Sequence, residues 1–138
     1  MSPLLLDTHV LVWLVEGDQR LAVAVRDQIE RSREASAVCV SAITPWEVAL
    51  LVAKGKIQFG RDVGEWVDAA LALPGIRLAP LLPLIAVAST RLPWEAHPDP
   101  ADRILIATAR HLNAALVTAD RRILDYARQG FMRCLPAE

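Results

Sequence analysis

Short apolar runs, separated by longer stretches with helical periodicity, constrain the fold of this chain more than any other feature. The runs lie at residues 3–6, 37–40, 76–79, 114–118 and 131–135. The runs at 3–6 and 37–40 are typical of buried strands, the run at 76–79 is a weaker strand candidate, and the last two are also predicted as strands. Helical patterns fill the intervals at residues 10–15, 21–33, 44–54, 62–72, 82–91, 99–112 and 120–128. This alternation predicts right-handed crossovers and a mostly parallel sheet with helices on both faces.

The composition indicates one compact domain over residues 1–138. Hydrophobic residues make up 54% of the chain and charged residues 22%, which suits a packed core and argues against disorder. The net charge of −1 argues against a general polyanion-binding protein. The N-terminus lacks the pattern of a signal peptide, and prolines interrupt the apolar stretch at 71–88. We therefore expect a cytoplasmic protein without a membrane span.

Four acidic residues occupy informative places in this predicted topology. Asp7 and Asp120 directly follow the first and fourth strands, and ligands of open α/β sheets bind at the carboxyl ends of strands. Glu47 and Asp102 each occupy the third position of a helix that follows a loop at the same end of the sheet. The four side chains can therefore meet in one pocket.

Each acid also has a purely structural interpretation. Glu47 can complete a capping box with Thr44 as the N-cap, and Asp102 can stabilise a helix first turn behind Asp99. Asp120 can be a simple helix N-cap and Asp7 an Asx turn. The placement of all four at one end of one sheet favours a shared site.

A cluster of carboxylates is stable only if it takes up protons or a cation. Oxygen ligands alone favour a hard cation, Mg²⁺ or Mn²⁺. Zinc is disfavoured because the three histidines lack a zinc-motif spacing and the two cysteines lie on different strands as reduced thiols. We expect the histidines to lie at the surface or behind the metal ligands.

A metal held by carboxylates points to a phosphate substrate that supplies further oxygens. The metal would activate a water molecule and neutralise charge at the scissile phosphodiester. Thr8 and Thr118 follow strands closely enough to offer a hydroxyl to a carboxylate or to the phosphate. Arg103, Arg121 and Arg122 lie beside the acids and can contact neighbouring phosphates.

Four segments, in this order and spacing, resemble the PIN-domain family. They are Leu-Leu-Leu-Asp-Thr-His at 4–9, Ser-Ala-Ile-Thr-Pro-Trp-Glu at 41–47, His-Pro-Asp-Pro-Ala-Asp-Arg at 97–103 and Leu-Val-Thr-Ala-Asp at 116–120. Within that family the chain looks most like the VapC toxins of type II toxin–antitoxin systems. The resemblance covers nearly the whole chain.

The resemblance implies a three-layer α/β/α sandwich with a mostly parallel central sheet. It also implies a Mg²⁺- or Mn²⁺-dependent endoribonuclease whose metal ligands are Asp7, Glu47, Asp102 and Asp120. Members of the family typically cut structured RNA such as tRNA or ribosomal RNA, form homodimers and are silenced by a VapB antitoxin. Ala101 departs from the family pattern, where Phe is usual, and we interpret Asp99 as the helix N-cap rather than as a metal ligand.

The predicted helix at 46–53 is apolar on every side. Because a three-layer fold places helices outside the sheet, the outer face of this helix is expected to bind another chain, either an antitoxin segment or a second protomer.

Two other functional classes fit less well. A phosphoacceptor domain of the receiver type needs a lysine after a late strand, and the only lysines are Lys54 and Lys56. A phosphatase of the Asp-x-Asp type needs an acid where His9 stands. A degenerate relative that only binds RNA, or that acts only with its antitoxin as a repressor, remains an alternative, although it would be expected to have lost at least one acid.

Overall fold

The computed structural model describes residues 2–138, in which five strands and seven helices alternate along the chain. The strands are β1 (Leu4–Leu6), β2 (Val38–Ser41), β3 (Ile76–Ala79), β4 (Ala115–Thr118) and β5 (Arg133–Pro136). The helices are α1 (Thr8–Glu16), α2 (Val23–Glu34), α3 (Thr44–Ala53), α4 (Val63–Leu71), α5 (Pro83–Ser89), α6 (Pro100–Leu112) and α7 (Arg121–Arg128). Every element predicted from the sequence is present, with most ends displaced by one or two residues.

The five strands form one sheet in the order β3-β2-β1-β4-β5, and every neighbouring pair is parallel. Leu5 at the centre of β1 is in register with Cys39 of β2 and Leu116 of β4. The chain first adds strands on one side of β1 and then crosses to the other side. The switch therefore lies between β1 and β4, and the crevice at their carboxyl ends is where such sheets bind ligands.

Helices cover both faces of the sheet, because successive residues of a strand point to opposite sides. Leu4 and Leu6 belong to a core cluster that α1, α2 and α4 complete. Leu5 belongs to the other cluster, together with Leu116 and apolar residues of α6 and α7. These layers confirm the predicted α/β/α sandwich, and the sheet is wholly parallel within residues 2–138.

One local prediction is wrong. Thr44 is not the N-cap of α3 and forms no capping box with Glu47, because the helix begins one residue earlier and Ile43 occupies the cap position without a side-chain hydrogen bond. Ile43 already has helical backbone angles, and its N–H donates to the Ser41 hydroxyl. This frees Thr44 and Glu47 for contacts with other elements.

Two helices leave apolar surface uncovered. In α3 only Thr44 and Val48 are buried, and the Trp46 side chain is 55% exposed. In α5, Leu84 and Val87 are about half exposed on one stripe, whereas Ile85 packs inward. Among residues 2–138, no helix is both long enough and apolar enough to cross a membrane.

Candidate active site

Asp7 lies at the carboxyl end of the central strand and is almost completely buried. It is the N-cap of α1, and its Oδ1 accepts a hydrogen bond of 2.7 Å from the backbone N–H of Thr8. Its Oδ2 accepts a hydrogen bond of 2.6 Å from the Thr118 hydroxyl. Both carboxylate oxygens are therefore fixed by neighbours from two adjacent strand ends.

Thr118 links the two acids that follow β1 and β4. While its hydroxyl donates to Asp7, it also accepts the backbone N–H of Asp120 at 3.0 Å. Asp120 caps α7 through Oδ1, which accepts the N–H groups of Arg122 and Ile123 at 2.8 and 3.2 Å. The capping uses one oxygen only, and Oδ2 of Asp120 lies 3.1 Å from Nε2 of His97.

Glu47 enters the site through a contact from α1. The Thr8 hydroxyl donates a hydrogen bond of 2.6 Å to Oε1 of Glu47, and the Thr44 hydroxyl lies 3.3 Å from that of Thr8. The early start of α3 explains this geometry, because Thr44 and Glu47 both turn toward α1 rather than toward their own helix end. The two threonines that the sequence singled out thus each donate to a different carboxylate.

Asp102 reaches the site from the first turn of α6, behind its cap. Asp99 is the N-cap, as predicted, and its Oδ1 accepts the N–H groups of Ala101 and Asp102 at 2.8 and 3.2 Å. The arrangement holds the start of α6 so that Asp102 points at the other acids. Asp99 adds negative charge nearby.

His97 lies between Asp102 and Asp120, behind two of the candidate metal ligands, which is one of the two positions expected for the histidines. Its Nε2 lies 3.1 Å from Oδ2 of Asp120 and 3.5 Å from Oδ2 of Asp102, and its side chain is only 8% exposed. Its Nδ1 accepts the backbone N–H of Asp99 at 3.0 Å, which leaves the ring proton on Nε2. In this tautomer His97 donates to Asp120.

The acids raise one another's affinity for protons. Burial, and then the negative charges of the other acids, raise the pKa of Asp102 to about 8. Burial also raises the pKa of Asp7 and of Glu47, against the opposing effect of the threonine hydroxyls. Arg103 does not neutralise the cluster directly, because its guanidinium donates to the carbonyls of Ser89 and His97.

The donor set fits a hard divalent cation. Carboxylate oxygens of Asp102 and Asp120 lie with Nε2 of His97 within 4.8 Å of one another, and hydrogen bonds lead from Asp120 through Thr118 to Asp7. A cluster that binds protons this tightly lacks compensating positive charge, and oxygen ligands select Mg²⁺ or Mn²⁺. Asp102 and Asp120 thus form the closest group with His97, while Asp7 and Glu47 are joined to its edge through Thr118 and Thr8. Arg103 instead anchors the loop before α6.

Comparison with known proteins identifies the family. A family model described as PIN domain matches residues 4–129. The chain belongs to the PIN-domain family. It is 35% identical over 126 residues to Ribonuclease VapC22 of Mycobacterium tuberculosis, across 91% of this chain and 93% of that relative. The resemblance to VapC proteins expected from the four motifs is confirmed.

Chains in solved structures of protein complexes have the same fold as this protein. The DNA-bound VapBC of Salmonella typhimurium matches with a TM-score of 0.71 and 16% identity over 98% of both chains. FitAcB of Neisseria gonorrhoeae matches with a TM-score of 0.65 and 20% identity over 97% of both chains. At these identities the likeness establishes the α/β/α architecture.

Proposed function

We propose that this protein is a metal-dependent endoribonuclease and the toxin of a toxin–antitoxin pair. The observation that carries the proposal is the hydrogen-bonded acidic site, in which Asp7, Glu47, Asp102 and Asp120 converge and the pKa of one carboxyl reaches about 8. The relationship to a VapC ribonuclease supports RNA as the substrate.

The residues of this chain have separable roles in such a reaction. Asp7, Glu47, Asp102 and Asp120 would hold the cation, which supplies an activated water and charge neutralisation at the phosphate. Thr118 and Thr8 orient the carboxylates of Asp7 and Glu47, so that these ligands need little rearrangement. Asp102 would release its proton when the cation binds.

The proposal includes partners. We propose a VapB-type antitoxin that binds the open face of α3, and a homodimer that forms through the apolar stripe of α5. Complexes named VapBC and FitAcB among the structural relatives support an antitoxin partner. The substrate class is structured RNA, tRNA or ribosomal RNA, and the place of action is the cytoplasm.

Cleavage assays with matched variants test the enzymatic proposal. Purified, antitoxin-free protein is incubated with total RNA and with transcribed tRNAs in Mn²⁺, in Mg²⁺ and in EDTA. We expect discrete cleavage that requires the metal, is lost in Asp7→Asn and is kept in Asp27→Asn, which removes an exposed acid from α2. Titration of Mn²⁺ against the same proteins should show a site that depends on Asp7.

Two results would contradict the proposal. Equal cleavage by wild type and Asp7→Asn would assign the activity to a contaminant. Absence of both cleavage and an Asp7-dependent Mn²⁺ site would leave a protein that binds RNA or antitoxin without catalysing a reaction.

A further inference from the structure

A groove of about 640 Å³ lies beside the acidic site, and we call it the Trp94 groove. Its lining includes Trp94, His97, Arg103, Arg122, Tyr126 and Gln129. His97 belongs to both places, because its ring contacts Asp102 and Asp120. The volume is in the range of sites that hold a small molecule or one unit of a polymer.

Trp94 presents its indole to solvent from a strained backbone. The residue is 68% exposed and has a φ of +59°, a left-handed conformation that is uncommon for a bulky side chain. Such conformations persist only where the surrounding structure enforces them, and they concentrate at functional sites.

The loop that carries Trp94 is held on both sides. The buried Tyr126 donates a hydrogen bond of 2.6 Å from its hydroxyl to the carbonyl of Pro93. Ala96 is buried in the core of the α6 and α7 layer, and Arg103 donates to the carbonyl of His97 at 3.0 Å. The fold therefore fixes the backbone around an aromatic side chain that it does not bury.

Charge in the groove suits a phosphate. Arg122 is exposed in the first turn of α7, and its guanidinium makes no ion pair or hydrogen bond within residues 2–138. The lining contains two acids, and Asp125 forms an ion pair with Arg128. Glu95 is then the one acid of the lining whose charge opposes a phosphate. Exposed aromatic rings beside free guanidinium groups bind single-stranded nucleic acid, the ring by stacking and the cation by phosphate contact.

We propose that the Trp94 groove holds the nucleotide next to the scissile phosphate, with its base stacked on Trp94 and its phosphate against Arg122. The inference rests on the proposed function and names a substrate subsite for it. It favours unpaired nucleotides, because a base must leave its helix to stack on a side chain. A protein partner would also cover an exposed indole, but it would not explain why His97 lines both the groove and the acidic site.

Binding of single-stranded RNA in EDTA tests the subsite without requiring cleavage. The probe is a mixed-sequence RNA oligonucleotide of about eight nucleotides, measured by fluorescence anisotropy and by quenching of tryptophan emission. We expect Trp94→Ala to weaken binding roughly 5- to 100-fold and Trp94→Phe to keep most of the affinity. Trp94→Phe should nevertheless lose most of the quenching, because the stacked indole is gone.

Controls separate this inference from loss of folding and from failure of the proposed function. Val23→Ala removes another exposed apolar side chain, on a helix in the opposite layer, and should bind RNA as wild type does. Circular dichroism and the melting temperature should match for all variants. Trp94-dependent binding without any metal-dependent cleavage would keep the subsite and reject the nuclease.

The opposite results would overturn the subsite. If Trp94→Ala binds and cleaves RNA as wild type does, the groove holds no nucleotide. If Trp94→Ala instead weakens self-association or binding of the antitoxin, and leaves RNA binding intact, the indole is a protein contact.

Discussion

Asp102 shows what burial among other acids does to a single side chain. With a pKa of about 8 it is mostly protonated at neutral pH in the metal-free protein. Because this pKa lies above the usual 3.8, the folded protein holds the proton more tightly than the unfolded chain does. The stabilisation is complete below pH 3.8 and is lost as the pH rises through about 8.

Asp102→Asn should therefore stabilise the metal-free protein at alkaline pH. The substitution keeps the size of the side chain and removes the buried negative charge. We expect the free energy of unfolding in EDTA to exceed that of wild type by on the order of 2 kcal/mol near pH 9, with little difference near pH 4. Urea denaturation across this range measures it, and a difference that does not change with pH would contradict the assignment.

His97 should act by donating its Nε2 proton to Asp120. In His97→Ala the Oδ2 of Asp120 loses its donor, and we expect Mn²⁺ affinity to fall about tenfold, as for other partners of metal ligands. Glutamine can place an N–H at a similar distance, so His97→Gln should recover most of that loss. Titration followed by electron paramagnetic resonance compares the three proteins. If His97→Gln binds as weakly as His97→Ala, the ring itself is a ligand.

The sequence allowed residues at strand ends to be located relative to one another. Asp7 and Asp120 follow buried strands, and the parallel register alone brings them together. For His97 the sequence allowed a position behind the metal ligands but did not identify its partner, because His97 lies in a loop without periodicity and Asp120 is 23 residues away. The role of Trp94 was not predicted either, because nothing in the local sequence pattern distinguishes an exposed indole from a packed one.

At the scale of elements, the first turn of α6 shows how a cap positions a functional group. Asp99→Ala removes the acceptor for two backbone N–H groups, and we expect it to lower the free energy of unfolding by about 1 kcal/mol. Asp99→Asn keeps the cap and should cost only a few tenths of that. Urea denaturation near pH 7 distinguishes the two, and equal losses would mean that the charge matters and the cap does not.

The periodicity of the sequence predicted the helices and strands, but it did not predict the start of α3. All five strands and all seven helices within residues 2–138 were predicted. The exception is the start of α3, where the sequence pattern of Thr44 and Glu47 matches a capping box in every letter. Glu47 instead forms a tertiary hydrogen bond with Thr8. A short hydrogen bond from a buried hydroxyl to a carboxylate is stronger than the exposed capping hydrogen bond that it replaces.

At the scale of the whole molecule, the proposed homodimer can be tested at the exposed apolar stripe of α5. Leu84 is 55% exposed, so Leu84→Glu should change the free energy of unfolding by less than about 0.5 kcal/mol. If the stripe forms the proposed homodimer, this variant should elute as a monomer in size-exclusion chromatography with light scattering. Val23→Glu, which changes a residue that is 75% exposed on α2, should stay dimeric. A dimer that survives Leu84→Glu places the interface elsewhere.

The hydrogen bond between Thr118 and Asp7 has a consequence for how the protein is made. It joins residues 111 positions apart, and β1 has no neighbour on its β4 side until residue 118 has been added. At translation rates of about 5–20 residues per second, that takes roughly 6–22 seconds after Asp7. A growing polypeptide therefore has no complete acidic site, and under the proposed function a ribosome that synthesises this protein is not exposed to its activity until β4 and Asp120 have been added. Under the proposed function, a message truncated before the codon for residue 118 would yield an inert product.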